Sequence, residues 1–350
     1  MTAILASVAR IYGPSMKAWQ LEQLSLSGLV QRDLPVPQPK GREVLVRIRA
    51  TSVNPRDVGL AIGAYGLQPL PLVPLADGAG EVVAVGPEVT RVARGARVIG
   101  TFVHGWIAGP PRRELAATTL GGPRPGTLAE FAMFDDTGIV VIPEALTFDE
   151  AATLPIAGAT AWHALFGDAP VRPGQTVVVQ GTGGVAMFAI QLAAAAGARV
   201  IALSSNDDKL AIARRHGAVD LVNYTTTPAW DERVRALTAG EGADLVVDTT
   251  GELRRSVAAT RPGGQVSVVG LLAGARTEIE IVPLLVNHIR LQGIQTGNRT
   301  HLEQLIAALV TKGLRPVIDR VYDFDAAPRA FAAIAERERY VGKLVIRGPS

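Results

Sequence analysis

A strand-like run, TVVVQ at 176–180, opens into Gly181, Thr182, Gly183, Gly184 and Val185 and then into the helix-forming stretch AMFAIQLAAAAG. Glycines between a strand and a helix let a phosphate approach the backbone, and the helix N-terminus offers unpaired N–H groups and a positive dipole end. The chemistry predicted is dinucleotide binding, with Gly181 making the turn and Gly183 admitting the pyrophosphate. Position 186 is alanine instead of a third glycine, a tolerated variant where the residue mainly sets helix-to-strand packing. The next strand, RVIALS, ends at Ser204, 23 residues after Gly181, where an NAD site commonly carries Asp or Glu for the ribose 2′-hydroxyl. Ser204, Ser205 and Asn206 can donate to a 2′-phosphate, and Lys209 one helical turn further adds positive charge. This pattern favours NADP(H) over NAD(H). The same residues also suit the cap of the helix DDKLAIARR, and the two roles are compatible.

The elements around this loop follow from periodicity. From about Thr147 strands and helices alternate: FDEAATLPIAGATAWHALF as a helix, then TVVVQ, VAMFAIQLAAAAG, RVIALS, DDKLAIARRHG, DLVNY, WDERVRALTAG, DLVVDTTG, QVSVVGLL and IRLQGIQTG. Continuous apolar strands alternating with helices predict a parallel, doubly wound sheet. Before it, EVLVRIRATSV (43–53), EVVAVG (81–86) and ARVIG (96–100) are short β-type runs separated by Pro and Gly, which predict a small, mostly antiparallel barrel or sandwich. The run 107–126 has little periodicity and reads as a long surface loop. After Asn298 come HLEQLIAALVTKG, RPVIDRVYDF, AAPRAFAAIAE and GKLVIRG, in the style of the first third. The expectation is an α/β chain of two domains: a discontinuous first domain, 1–149 and 299–350, and a cofactor domain, 150–298. Residues 1–15 read as an extension ahead of a strand opening at Met16.

Bulk properties set the exclusions. The 350 residues are 48% apolar and 19% charged with a formal charge of +3, so sizeable cores are expected and disorder is not. Arg112-Arg113 and Arg214-Arg215 are isolated pairs, not a nucleic-acid groove. The chain has no cysteine, which excludes disulfides, thiolate catalysis and every zinc site that needs sulfur. No apolar run approaches the roughly 18 residues that span a bilayer. No membrane association is expected, and the default compartment is the cytoplasm.

In order and motif the chain resembles the medium-chain dehydrogenase/reductase superfamily over about 16–350. The resemblance is carried by VNPRD (53–57), PLADGAGEVVAVG (74–86), GARV (95–98), AATLPIAGATAWHAL (151–165), GTGGV (181–185) and YVGKLVI (340–346). It implies a GroES-like β-barrel catalytic domain and a Rossmann nucleotide-binding domain. Within the superfamily it is most similar to the zinc-independent members, the quinone oxidoreductases and proteins labelled zinc-type alcohol dehydrogenase that lack the ligands. The zinc frame Cys-x-x-Asp reads Asn54, Pro55, Arg56, Asp57; Gly-His-Glu reads Leu75, Ala76, Asp77; the third ligand position is Ile156. No zinc is expected.

Without a Lewis acid, hydride transfer must rely on hydrogen bonds to the developing oxyanion or enolate, which favours quinones and conjugated enones as acceptors. By resemblance the catalytic residues are Asn54 and Asp57, a polar pair of the substrate cleft, and Tyr65, a hydrogen-bond or proton donor. Each has a plain alternative: a turn bond for Asn54, helix capping for Asp57, a loop anchor for Tyr65. Tyr224, with Lys209, matches the pair that brackets the adenosine phosphate. Thr249, Gly270 and Leu271 follow strand ends, where α/β sheets bind ligands. Thr160, Asn298 and Lys343 match positions near the nicotinamide or phosphates, Lys343 also being an ordinary strand start. Asp77 reads as structural, Trp106, Trp162 and His163 as core, and His104 as part of the irregular loop. The resemblance implies a homodimer paired through an edge strand. Other readings are a zinc-independent alcohol dehydrogenase acting on alcohols, aldehydes or ketones, and a non-catalytic NADPH-binding protein.

Overall fold

The computed structural model describes residues 12–66, 68–272 and 274–349. Most of the expected N-terminal extension, residues 1–11, lies outside the described residues. Its end does not read as an appendage: the Tyr12 ring stands edge-on to Phe131 at 5.3 Å, with the Arg47 guanidinium over its face.

In chain order the first elements are β1 (Ser15–Leu21), β2 (Leu29–Pro35), β3 (Glu43–Val53), α1 (Pro55–Ala61), β4 (Asp77–Val85), β5 (Arg97–Gly100), β6 (Phe131–Asp135), β7 (Ile139–Val141) and α2 (Phe148–Ala151). The middle of the chain supplies α3 (Ala159–Phe166), β8 (Thr176–Gln180), α4 (Gly184–Ala195), β9 (Arg199–Ser204), α5 (Asp207–Arg215), β10 (Asp220–Asn223), α6 (Trp230–Leu237), β11 (Ala243–Asp248), α7 (Leu253–Ala259), β12 (Thr260–Val268), α8 (Ile281–Val286) and β13 (Arg290–Gly293). The chain closes with α9 (Arg299–Lys312), β14 (Ile318–Tyr322), α10 (Ala327–Ala335) and β15 (Lys343–Arg347). These form two units, one running through Ile156 and resuming at Asn298, the other Ala157–Gly297. The first boundary falls seven residues later than the composition change suggested, because α2 packs on β3 and β4.

In the first unit, β3 is the organising strand. Its side chains alternate, as a strand requires: Leu45 enters one core with Leu21, Phe131 and Phe331, whereas Val44, Val46 and Ile48 enter a second with Val98, Phe134 and Leu120. It lies in a seven-stranded sheet ordered β14-β15-β3-β4-β5-β7, with β6 also paired to β3. All these pairings are antiparallel except β14 with β15. The run 107–126 differs from a surface loop. Its second half is built into the fold: Leu120 is fully buried, and a Cβ at Gly126 would lie 1.9 Å from the Leu75 carbonyl oxygen, so only glycine permits that approach.

The second unit is a six-stranded, all-parallel sheet ordered β10-β9-β8-β11-β12-β13, the doubly wound arrangement. Val178, Ile201, Val222, Val246 and Val266 pack one of its faces with Trp230, Val234 and Val257. Each such side chain contributes about 1.5–3 kcal/mol when fully buried. The helix expected over 148–166 is interrupted. A π-helical segment, Leu154–Gly158, separates α2 from α3. Pro155 has no N–H to give, and the Ile156 N–H is taken by the Asp77 carboxylate at 2.9 Å, so the ordinary helical ladder is broken there. Among the described residues no helix is long and apolar enough to cross a membrane.

Candidate active site and nucleotide loop

Strand register assembles a buried polar cluster in the first unit. Ser52 of β3 lies opposite Asp77 of β4, and Val345 of β15 lies opposite Ser52, so the end of β3 has Asp77 on one side and Lys343 on the other. Asn54 then turns the chain into α1. All five polar residues concerned, Ser52, Asn54, Asp57, Asp77 and Lys343, are 4% exposed or less. Asp77 is the hub: Oδ1 accepts from the Ile156 N–H, and Oδ2 accepts from Ser52 Oγ at 2.7 Å, Asn54 Nδ2 at 2.8 Å and Lys343 Nζ at 3.3 Å. Lys343 Nζ also donates to Asn54 Oδ1 at 2.5 Å and the Val53 carbonyl at 3.1 Å. An ammonium has three N–H groups, one for each of these acceptors.

Asp57 completes the cluster. Its Oδ2 accepts the Asn54 backbone N–H at 2.9 Å, the hydrogen bond of a helix start, and its Oδ1 accepts from Arg56 Nη1 at 3.0 Å. Burial pushes the Asp57 carboxyl above its ordinary range, with the Arg56 charge opposing. Burial pushes the Lys343 ammonium downward, with Asp77 and Asp57 opposing. These carboxylates face a lysine where water would otherwise solvate them, which is how buried charge is tolerated.

The catalytic residues expected from sequence are therefore placed unequally. Asn54 and Asp57 come together, and Asn54 has both ends of its carboxamide bonded inside the cluster. Tyr65 does not join them. It is 51% exposed, and its ring edge lies against Gly59 of α1, where an added Cβ would meet Cε2 at 2.8 Å. Asp77, which reads as structural in the sequence, is the centre of the cluster, and Ser52 and Arg56 join it without any motif that marks them in the sequence. Two expected cofactor residues also lie in this unit. Lys343 belongs to the cluster, and Asn298 caps α9 by accepting the His301 N–H at 2.9 Å. Elsewhere in the unit His104 is fully buried in the core, not on a loop surface; burial pushes its pKa down to about 3.

In the second unit the parallel sheet aligns the carboxyl ends of its strands, which brings Gly181, Ser204, Tyr224, Thr249 and Gly270 to one edge. Gly181 has φ +81°, a conformation that glycine adopts without strain. The Thr249 hydroxyl donates to the Gln180 carbonyl at 2.9 Å, and a Cβ at Gly270 would lie 2.0 Å from the Thr249 carbonyl oxygen. Thr182 is buried; Gly184 and Val185 open α4. Ser204 is buried, Ser205 exposed, and Asn206 caps α5 by accepting the Lys209 N–H, so the capping role read from sequence is real. Tyr224 and Leu271 are exposed.

This unit fits a dinucleotide. A Cβ at Gly183 would meet nothing within 4 Å, leaving room at the N-terminus of the twelve-residue α4. Thr160 Oγ1 is buried with no hydrogen-bond partner, as is Thr296 Oγ1, and buried hydroxyls ordinarily have one. The zinc frame gives the opposite result. Ala76 and Ile156 present hydrocarbon, and the one oxygen of the Asn54 carboxamide is bonded to an ammonium. These residues do not fit a zinc ion.

Comparison with known proteins places these two sites in context. The family described as alcohol dehydrogenase GroES-like domain matches residues 40–144, and the family described as zinc-binding dehydrogenase matches 184–311. The chain is 36% identical over 314 residues to the zinc-type alcohol dehydrogenase-like protein C1773.06c of Schizosaccharomyces pombe, covering 87% of this chain and 90% of that one. It is 29% identical over 329 residues to the quinone oxidoreductase of Sus scrofa, covering 91% and 92%. A crystal structure of an NAD-dependent alcohol dehydrogenase superposes with a TM-score of 0.86 at 34% identity, covering 95% of this chain and all of the other.

Proposed function

The chain is an oxidoreductase of the medium-chain dehydrogenase/reductase superfamily, and within that superfamily we propose that it is a metal-free, NADPH-dependent reductase of quinones or α,β-unsaturated carbonyls. The observation that carries this reading is the composition of the zinc frame: an amide already bonded to Lys343, a methyl group and a sec-butyl group. A chain without a Lewis acid is suited to acceptors that disperse negative charge through their own conjugation. Similarity to the quinone oxidoreductase of Sus scrofa supports the same class.

The nucleotide would be held by Gly181, Thr182, Gly183, Gly184 and Val185 at its pyrophosphate, by Ser204, Ser205, Asn206, Lys209 and Tyr224 at its adenosine phosphate, and by Thr160, Thr249, Gly270 and Leu271 nearer the nicotinamide. Bound there, it would supply a hydride, two electrons in one step, and one proton completes the hydroquinone or the saturated carbonyl. The Tyr65 hydroxyl is the proposed hydrogen-bond or proton donor. Asn54 and Asp57 act by holding the start of α1, the helix against which the Tyr65 ring rests.

A second reading, a zinc-independent alcohol dehydrogenase, draws support from the names of the relatives at 36% and 34% identity. The two separate in one experiment: NADPH and NADH oxidation measured with a quinone, an enone and an aldehyde in parallel. Turnover of quinone or enone with NADPH supports the first reading, and turnover confined to the aldehyde replaces it with the second. Nucleotide binding without turnover of any acceptor would mean a binding protein.

We also propose a homodimer. α8 exposes Ile281, Val282, Leu285 and Val286 at 58–70%, and β13 is one of the two edges of the six-stranded sheet. An unpaired edge beside an apolar helix suits a second copy related by a two-fold axis. Sedimentation at a dimer mass supports this, and a monomer that persists at high concentration contradicts it.

A further inference from the structure

Lys343 is buried among oxygen acceptors. Its surroundings have the form of a cation site: a backbone carbonyl, a carboxamide oxygen and a carboxylate oxygen gathered at 2.5–3.3 Å around one nitrogen. The stem that delivers the nitrogen is itself buried, because β15 pairs with β3 and the lysine opens that strand. The Arg56 guanidinium pairs with Asp57. Among the described residues Lys343 is the cation bonded to Asp77.

The ammonium also fixes the direction of an amide. It can only donate, so the Asn54 oxygen must face it and the Asn54 NH₂ must face the carboxylates, at 2.8 Å to Asp77 and 3.4 Å to Asp57. From Asp57 the chain of contacts continues to Arg56, which donates to the Leu120 and Gly121 carbonyls and covers the Phe102 ring at 5.0 Å. From α1 it continues to Tyr65 through Gly59.

We propose that Lys343 is the resident cation of this site and a positioning residue: it holds Asn54 and the start of α1, and through them Tyr65 and the 102–121 segment, in the geometry the acceptor requires. The positioning half of this statement rests on the proposed reductase activity; the cation half does not. What the site requires at Nζ is then a compact positive charge with N–H donors, not the lysine stem.

The test uses the full-length protein with Lys343→Ala, which opens the stem's channel, and Lys343→Met, which fills it without charge. With NADPH and the acceptor that wild type turns over, both variants should lose about 10²-fold in kcat/KM, the scale of a small misplacement, while the NADPH Kd stays within about twofold. Propylammonium should restore Lys343→Ala and not Lys343→Met, and tetramethylammonium, which has no N–H, should restore neither. Independently of any acceptor, propylammonium should raise the melting temperature of Lys343→Ala and leave wild type unchanged. A Lys343→Met protein with wild-type kcat/KM overturns the positioning role, as does a loss that propylammonium cannot restore. An unshifted melting temperature overturns the resident cation, even if wild type proves inactive on every acceptor. Should Lys343→Ala fail to fold, Lys343→Met still decides the positioning role, and folding of Lys343→Ala only when refolded with propylammonium would support the cation.

Discussion

The stability of the first unit depends on the pairing of Asp77 with Lys343, and Asp77→Asn measures it. The Asp77 carboxylate is wholly buried and accepts from the Ile156 N–H, Ser52, Asn54 and Lys343. Asparagine has nearly the same shape but removes the charge that offsets the buried ammonium. It also turns an NH₂ toward a cluster in which the Ile156 N–H, the Asn54 NH₂ and the Lys343 ammonium can only donate. Breaking a buried pair from one side destabilises by about 3–5 kcal/mol, because a desolvated charge is left without its partner. For a unit of roughly 200 residues that corresponds to a fall in Tm of about 6–20 °C. Removing both charges is predicted to be far milder than removing one. The assay is a double-mutant cycle of Asp77→Asn and Lys343→Met by urea unfolding without nucleotide, in which the double variant should recover at least about 1.5 kcal/mol relative to the sum of the singles. A single-variant loss below about 1 kcal/mol, or strict additivity, would show that the pair is not coupled and would refute the reasoning.

Four other outcomes follow from the geometry. Gly183→Val should fold normally, since φ is −74° and the space is open, but should weaken NADPH binding about tenfold or more in a fluorescence titration. Ser204→Asp should move the NADPH-to-NADH preference toward NADH by about tenfold or more in kcat/KM, through repulsion of a 2′-phosphate. Tyr65→Phe should lower kcat about 10²-fold with an unchanged NADPH Kd if the hydroxyl donates to the acceptor. His104 gives a pH dependence. Its pKa is depressed to about 3 in the fold against an ordinary 6.5, so the unfolded chain takes up the proton first, and stability falls as pH drops below 6.5 toward 3. Between pH 6.5 and 4.5 the loss assigned to this residue is on the order of 2 kcal/mol, which His104→Gln should remove from the pH profile of unfolding.

What could be read from the sequence was local. The β-type run at 43–53, set off by Pro and Gly, gives β3 its bounds, and Gly181 between a strand and a helix gives the candidate nucleotide loop. The cluster was not legible in that way, because Asp77 and Lys343 are 266 residues apart and meet only through the registers of β4 with β3 and β3 with β15. A lone acid in PLADGAG carries no sign of its partner; the nearest signal was Ser52 and Asn54, polar residues where the strand gives way to a helix. The break in the helix over 148–166 has the same origin: Pro155 was visible, but the carboxylate that takes the Ile156 N–H was not. The 107–126 run lacks periodicity because Gly121 and Gly126 serve close backbone approach to Leu75, and Leu120 is its one strong burial anchor.

The central claim is hydride transfer from NADPH to a conjugated acceptor without a metal. The most direct test strips the protein with a chelator, verifies by elemental analysis that zinc is absent, and follows transfer of deuterium from C4-deuterated NADPH to an enone. Label on the β-carbon of the product, at a rate unchanged by stripping, is the predicted result. Activity that disappears on stripping and returns with added zinc would contradict it.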